Sequence, residues 1–214
     1  MKWSWIPDHA GELAMTTLEH SAIAGVAVLL GLVLALPLGV LAVRFPVLKG
    51  VVLGASGVLF TIPSLALFVL LLPLTGLSYE TAVIGLTVYT LVVLVRNTVE
   101  GLAAVPPHVR EAARAMGYGG TRTLLAVELP LALPVIVAGV RVATVMTISL
   151  VSVAGFIGHG ALGQLFIDGF QRDFAVPVIA GVVLTLLLAL VADLILVAAQ
   201  RALTPWTRRG GRHG

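Results

Sequence analysis

The chain has 214 residues, 59% of them hydrophobic and only 11% charged, and its mean hydropathy is +1.09. That balance excludes a soluble domain with a polar surface and leaves no continuous polar segment of ordinary domain size. The lack of cysteine excludes disulfides, a thiol nucleophile and a cysteine-based zinc site, and the formal charge of +3 is scattered at span ends instead of forming the basic, aromatic-studded stripe that binds nucleic acid.

The opening residues, MKWSWIPDHAGELAMTTLEH, carry Asp8, Glu12 and Glu19 and lack the basic-then-apolar order of a cleavable signal. The first span is therefore expected to stay in the mature protein. Crossing about 30 Å of hydrocarbon takes about 20 apolar residues in a helix. Five stretches are long enough, at about 21–43, 50–77, 81–103, 131–157 and 174–200. The first is uncharged. The second is also uncharged and long enough to tilt or kink, with Pro63 in FTIPSL as the site. The third holds Arg96 and Glu100, the fourth Arg141, the fifth Asp193. Only helix satisfies every backbone group inside such a segment, and the alternation of a barrel strand is absent. The expected fold class is an all-α integral membrane protein with five transmembrane helices, forming a single domain over 1–214.

Orientation follows the basic residues. With the N-terminus outside and the C-terminus cytoplasmic, Arg44, Lys49, Arg96, Arg110, Arg114, Arg122, Arg201, Arg208, Arg209 and Arg212 fall inside, with Arg141 snorkelling towards them. Only Lys2 and Arg172 fall outside. The segment 104–130 then becomes a cytoplasmic loop between the third and fourth spans, and the short basic tail TPWTRRGGRHG helps to fix orientation.

That loop is the longest polar stretch between spans. Pro106 and Pro107 suit a helix start, Val109 to Met116 favours helix, and Gly117 is placed as a left-handed C-cap. A tight turn at Gly119 and Gly120 follows, after which Thr121 is expected to cap a second helix running towards Pro130. The order Glu111, Ala112, Ala113, three residues, Gly117, nine residues, then Val127, Glu128, Leu129, Pro130 resembles the EAA loop of ABC-importer permeases, with valine in place of the usual isoleucine. The resemblance implies the MetI-like fold of a type I importer. It also implies that the loop docks on a separate ATPase subunit, through Glu111, Ala112, Ala113, Met116 and Gly117. The residue types suit that role, since alanines allow close helix approach and glycine a sharp turn. A second possibility for Glu111 is pairing within its own helix to Arg110 or Arg114.

TIPSLALF, VRNTVEGL, VELPLALPVIVAGVR and GFIGHGALGQLFIDGF are similar to segments of osmoprotectant-importer permeases, which carry glycine betaine, carnitine and choline. A methionine or other amino-acid importer permease is the alternative, and an ion-driven secondary transporter a distant one, lacking the inverted repeats that class shows. The resemblance implies an ATPase subunit dimer, a second permease copy or a paralogue, and a separate external substrate-binding protein, in a bacterial or archaeal inner or plasma membrane. Membrane lipid is the remaining partner, and nucleic acid is not one. No catalytic residue, metal site or cofactor is expected in this chain. Neither Lys2 nor Lys49 sits in a Walker A context, and GYGG is a turn, so ATP and Mg belong to the partner ATPase.

The intramembrane charges admit two roles. Arg96 and Glu100 are four apart on one helix face and suit a structural pair. Arg141 and Asp193 either meet each other or line the exit path. No close aromatic cluster is visible for a quaternary ammonium; Tyr79 and Tyr89 read as packing residues. His9, His20, His108, His159 and His213 show no metal spacing. The glycine-rich outer segment from Gly155 to Gly163 is either part of the external mouth or a flexible connector.

Overall fold

The computed structural model describes residues 2–208, and within them every regular element is helical. The elements are α1 (Trp5–Asp8), α2 (Ala10–Arg44), α3 (Pro46–Thr61), α4 (Ser64–Thr75), α5 (Tyr79–Ala103), α6 (Pro107–Ala115), α7 (Gly120–Thr123), α8 (Leu129–Val151), α9 (Gln164–Gln171) and α10 (Ala175–Leu203). A π-helical turn, Leu124–Glu128, joins α7 to α8. Four helical stretches are long and apolar enough to cross a membrane: Ala10–Arg44, Tyr79–Ala103, Gly120–Ile157 and Ala175–Leu203.

The second expected stretch, 50–77, is not one straight helix. α3 and α4 meet at an angle of 98°. The break falls where the sequence places it: Pro63 forces the preceding Ile62 out of the helical region, to φ −69° and ψ 125°, and so ends α3. The first span, α2, is longer than its apolar core, starting at Ala10 and not near residue 21, because hydropathy gauges the membrane and not the helix. The second helix of the polar loop differs too. Extended Gly119, not Thr121, stands before α7, and no side chain caps it. Nor does the chain stop at Pro130. Its ring would strike the carbonyl four residues back in a regular helix, and the wider π-turn just before it removes the conflict, so helix continues into α8.

α5 lies at the centre, packed on α2 at one side and α8 at the other, with α10 outside α8. Lipid tails give apolar side chains no reason to leave them, so close backbone approach must do the work that water does for soluble bundles. Ala27, Gly31, Ala35 and Gly39 recur every fourth residue along α2 and are all buried. A Cβ added at Gly31 would lie 2.7 Å from Cγ2 of Thr90, and one at Gly39 would lie 2.5 Å from Cγ2 of Thr98. On the other side, a Cβ at Gly139 of α8 would overlap Asn97, and one at Gly101 of α5 would crowd the Ala132 carbonyl at 3.1 Å. The threonines on the buried face of α5 satisfy themselves locally: Thr87, Thr90 and Thr98 donate to carbonyls four residues back at 2.7–2.8 Å. Thr90 also meets the Thr147 hydroxyl of α8 at 2.9 Å, a polar tie across the helix pair.

After Val151 the chain tightens into 3₁₀ turns, Ser152–Ile157 and Ala161–Gly163, before α9. This glycine-rich segment is packed, not a loose connector. Gly160 rests on the backbone of Gly155 and Gly163 on that of Ser152, leaving no room for a Cβ at either. Beneath it, fully buried His20 of α2 bonds through Nε2 to the Ile148 carbonyl at 2.8 Å, fastening α2 to the C-terminal end of α8.

The glycine contacts make a direct comparison possible. Alanine raises helix propensity at any interior glycine by about 1 kcal/mol. Gly25→Ala meets nothing within 4 Å and is expected to hold or raise the melting temperature in detergent. Gly139→Ala drives its methyl into Asn97 and is expected to cost about 1–3 kcal/mol, read as a lower melting temperature. Equal melting temperatures for the two variants would show that close α5–α8 approach is not needed.

Candidate functional site

The loop after α5 folds as a short amphipathic helix followed by a complete glycine-based stop. Pro106 and Pro107 open α6, proline being free of the donor that a first turn cannot use. At its far end Tyr118 N–H donates to the Ala113 carbonyl at 3.0 Å and Gly117 N–H to Arg114 at 2.9 Å, the paired bonds of a Schellman motif. Gly117 adopts φ +82°, which a β-branched residue resists.

α6 has two unlike faces. Inward, Ala113 is 1% exposed. Arg110 Nε stands 3.0 Å from Glu128 Oε1, with both side chains mostly buried, while Arg110 Nη2 donates to the Leu102 carbonyl at 2.6 Å. One arginine thereby joins the end of α5, α6 and the turn that enters α8. Arg44 Nη2 reaches the Gly120 carbonyl at 3.1 Å, and Arg122 stacks over Tyr118 at 4.2 Å, so the second half of the loop is held as well. Outward, Glu111, Ala112, Met116 and Gly117 are exposed, Met116 by 67%. Glu111 forms no ion pair among the described residues, since Arg110 is taken by Glu128. The assembly is a rigid knob with an acidic residue and a bare methionine on its free side. The Arg110–Glu128 pair has no helical spacing and leaves no periodic signal in the sequence.

The four intramembrane charges form two pairs of different character. Arg141 of α8 grips Asp193 of α10 with two bonds, Nε to Oδ1 at 2.9 Å and Nη2 to Oδ2 at 3.0 Å. Gln200 adds a contact to Arg141 Nη1 at 3.5 Å and donates to the Pro134 carbonyl at 3.3 Å. That network ties α10 to the bundle. Arg96 and Glu100 meet at 3.0 Å within α5, but keep 73% and 57% of their side-chain surface. They line a cavity of about 410 Å³ between α3 and α5.

Aromatic residues also come together where sequence spacing shows nothing. Phe60 of α3 meets Tyr89 of α5 edge to face, with ring centres 6.3 Å apart, and the Tyr89 hydroxyl donates to the Ile62 carbonyl freed by the helix break. Tyr79 stays at the start of α5, away from this pair. His9 stacks on Trp5, and no group of metal-ligating side chains forms among the described residues. Arg209, Arg212 and His213 lie outside the described residues.

Comparison with known proteins gives the frame for this geometry. Residues 27–205 match the family described as binding-protein-dependent transport system inner membrane component. The osmoprotectant import permease protein OsmW of Salmonella typhimurium is 42% identical, over 92% of this chain and 94% of its own. The glycine betaine/carnitine/choline transport system permease protein OpuCB of Bacillus subtilis is 34% identical, over 94% of this chain and 93% of its own. The fold is that of the permease in the inward-facing MetNI methionine ABC transporter, with a TM-score of 0.80 at 24% identity, over 92% of this chain and 98% of that one. The chain therefore belongs to the binding-protein-dependent transport system inner membrane components, as a multi-pass ABC-importer permease whose ATP hydrolysis resides on a separate subunit.

Proposed function

We propose that this permease admits osmoprotectant quaternary ammonium solutes, of the glycine betaine, carnitine and choline kind, and that α6 is the helix through which an ATPase subunit drives it. The observation carrying the coupling role is the two-faced α6, bolted inward by Arg110 and Glu128 and bare outward at Glu111 and Met116. A helix that moves spans must be rigid towards them and free towards its driver. The solute class is supported by the names of the relatives, two of them covering nearly the whole chain. The methionine alternative has the fold likeness behind it, at an identity that speaks for fold alone.

Counting the bent α3–α4 pair as one broken span gives five crossings, with the N-terminus outside, the C-terminus cytoplasmic and 104–130 as the cytoplasmic coupling loop of a single permease domain. The basic residues support that orientation. A second copy or a paralogue completes the pathway, an external binding protein delivers the solute, and ATP with Mg is held by the ATPase pair. The membrane is a bacterial or archaeal plasma membrane.

Three measurements test this reading. Single cysteines at Thr121 and Asp168, in a chain with none of its own, are expected to react with impermeant reagents only from the cytoplasmic and only from the external side respectively. The opposite pattern, or labelling of both from one side, would overturn the topology. Reconstituted with its ATPase and binding protein, the complex is expected to import a quaternary ammonium solute only with ATP; methionine uptake with none of betaine, carnitine or choline would move the assignment to the alternative. Gly117→Val is expected to leave membrane insertion near normal while lowering ATPase retention or transport per ATP, because a β-branched residue at φ +82° costs about 1 kcal/mol or more. Glu111→Lys should act likewise, there being no ion pair within the described chain to lose. Normal coupling in both variants would reduce α6 to a connector.

A further inference from the structure

Ionisable groups within a spanning helix are costly against lipid, and they mark a face that meets water or protein. On α5 that face carries Arg96 and Glu100, both well exposed. Tyr89 lies seven residues earlier, two turns or about 10 Å along the same face. The cavity between the helices runs from Phe60, whose ring Tyr89 touches from behind, to the ion pair, being lined by Leu53, Ser56, Phe60, Arg96, Asn97 and Glu100. Its volume of about 410 Å³ is ample for a small solute.

We propose that this cavity is a transit subsite for zwitterionic quaternary ammonium solutes, in which the Phe60 ring receives the methylated ammonium and Arg96 the carboxylate. The inference rests on the solute class proposed above. A quaternary ammonium has no N–H to donate, so an aromatic face is the group that selects it. Phe60 offers such a face, 52% exposed, and is steadied by Tyr89, itself anchored to the Ile62 carbonyl. Arg96 spends only its Nε–H on Glu100, and its remaining N–H donors have no bond within the described chain. A planar guanidinium matches a carboxylate with two parallel bonds. Glu100 balances the charge while the site is empty and yields its place when a solute carboxylate arrives, which keeps binding weak enough for release. Asn97 is already committed to the Val93 carbonyl at 2.9 Å and serves as wall. A phosphocholine lipid headgroup shares this chemistry, so the assay must contain none.

The test is ATP-driven uptake of radiolabelled carnitine, glycine betaine and choline by the complete complex, in vesicles of phosphatidylethanolamine and phosphatidylglycerol. Arg96→Gln is expected to lower carnitine and betaine uptake about tenfold relative to choline, which has no carboxylate. Phe60→Leu should lower all three, and Phe60→Trp should restore them. Glu100→Gln, which removes the competing carboxylate charge and leaves Arg96 only a weaker amide acceptor, should raise the carnitine-to-choline ratio. Solute affinity of the binding protein, measured alone, is the same in every arm. Equal loss of carnitine and choline in Arg96→Gln, or a fall in the ratio for Glu100→Gln, would show the pair to be structural and overturn the subsite. A wild-type complex that imports none of the three removes the solute reading itself. One that imports them but is indifferent to Phe60→Leu and Arg96→Gln removes only the subsite.

Discussion

Everything in this subunit depends on how near α5 can come to its two neighbours. In a bilayer, apolar side chains gain nothing by leaving lipid for protein, so a bundle holds through contact that only small residues permit. Gly31 and Gly39 admit Thr90 and Thr98 on one side of α5, and Gly139 admits Asn97 on the other. The threonines are part of the same solution. Their methyl groups fill the space that the glycines vacate, while their hydroxyls are spent on their own helix. A leucine-lined bundle of equal hydropathy would meet the solvation requirement and have no reason to choose one register.

That register decides where the polar loop stands. α5 ends at Ala103 and the π-turn begins at Leu124, and between them Arg110 reaches the Leu102 carbonyl and the Glu128 carboxylate. Removing two charges from water is costly, and a mostly buried pair is more often neutral than stabilising. Its value here is geometric. Three segments meet at one guanidinium, so in the coupling role proposed for α6 a force on its free face would be passed to α5 and α8. Gly117 contributes from the other end, since the Schellman turn fixes the direction in which the chain leaves α6.

What the sequence made legible was local. Span lengths follow from apolar run length, the α3 break from Pro63, α6 and its end from Pro107 and Gly117, and the Arg96–Glu100 pair from a spacing of four. Each is written within a few residues of where it acts. The bend of 98°, the long overhang of α2 and the passage of helix through Pro130 were not legible, because each depends on what the rest of the bundle presents. Phe60–Tyr89, Arg110–Glu128 and His20–Ile148 join residues remote in sequence, and one chain alone carries no sign of such pairings. One signal was present to be found: the recurrence of Ala27, Gly31, Ala35 and Gly39 every fourth residue names the packed face of α2 outright.

The two intramembrane ion pairs show why charge alone does not identify a pathway. Arg141 and Asp193 answer each other with two bonds, on two helices, and Gln200 takes part of what remains. Three of the five guanidinium N–H donors are engaged across helices, and the network's effect is to hold α10, a helix otherwise mostly turned outward, against α8. Arg96 and Glu100 lie on a single helix and share one bond, an arrangement that fastens nothing to anything. A pair of that kind contributes little to stability where it is solvated and is expensive where it is not. Its place on an open face of the central helix, beside a cavity whose opposite wall carries Phe60, is what the proposed transit subsite accounts for and a purely structural role does not.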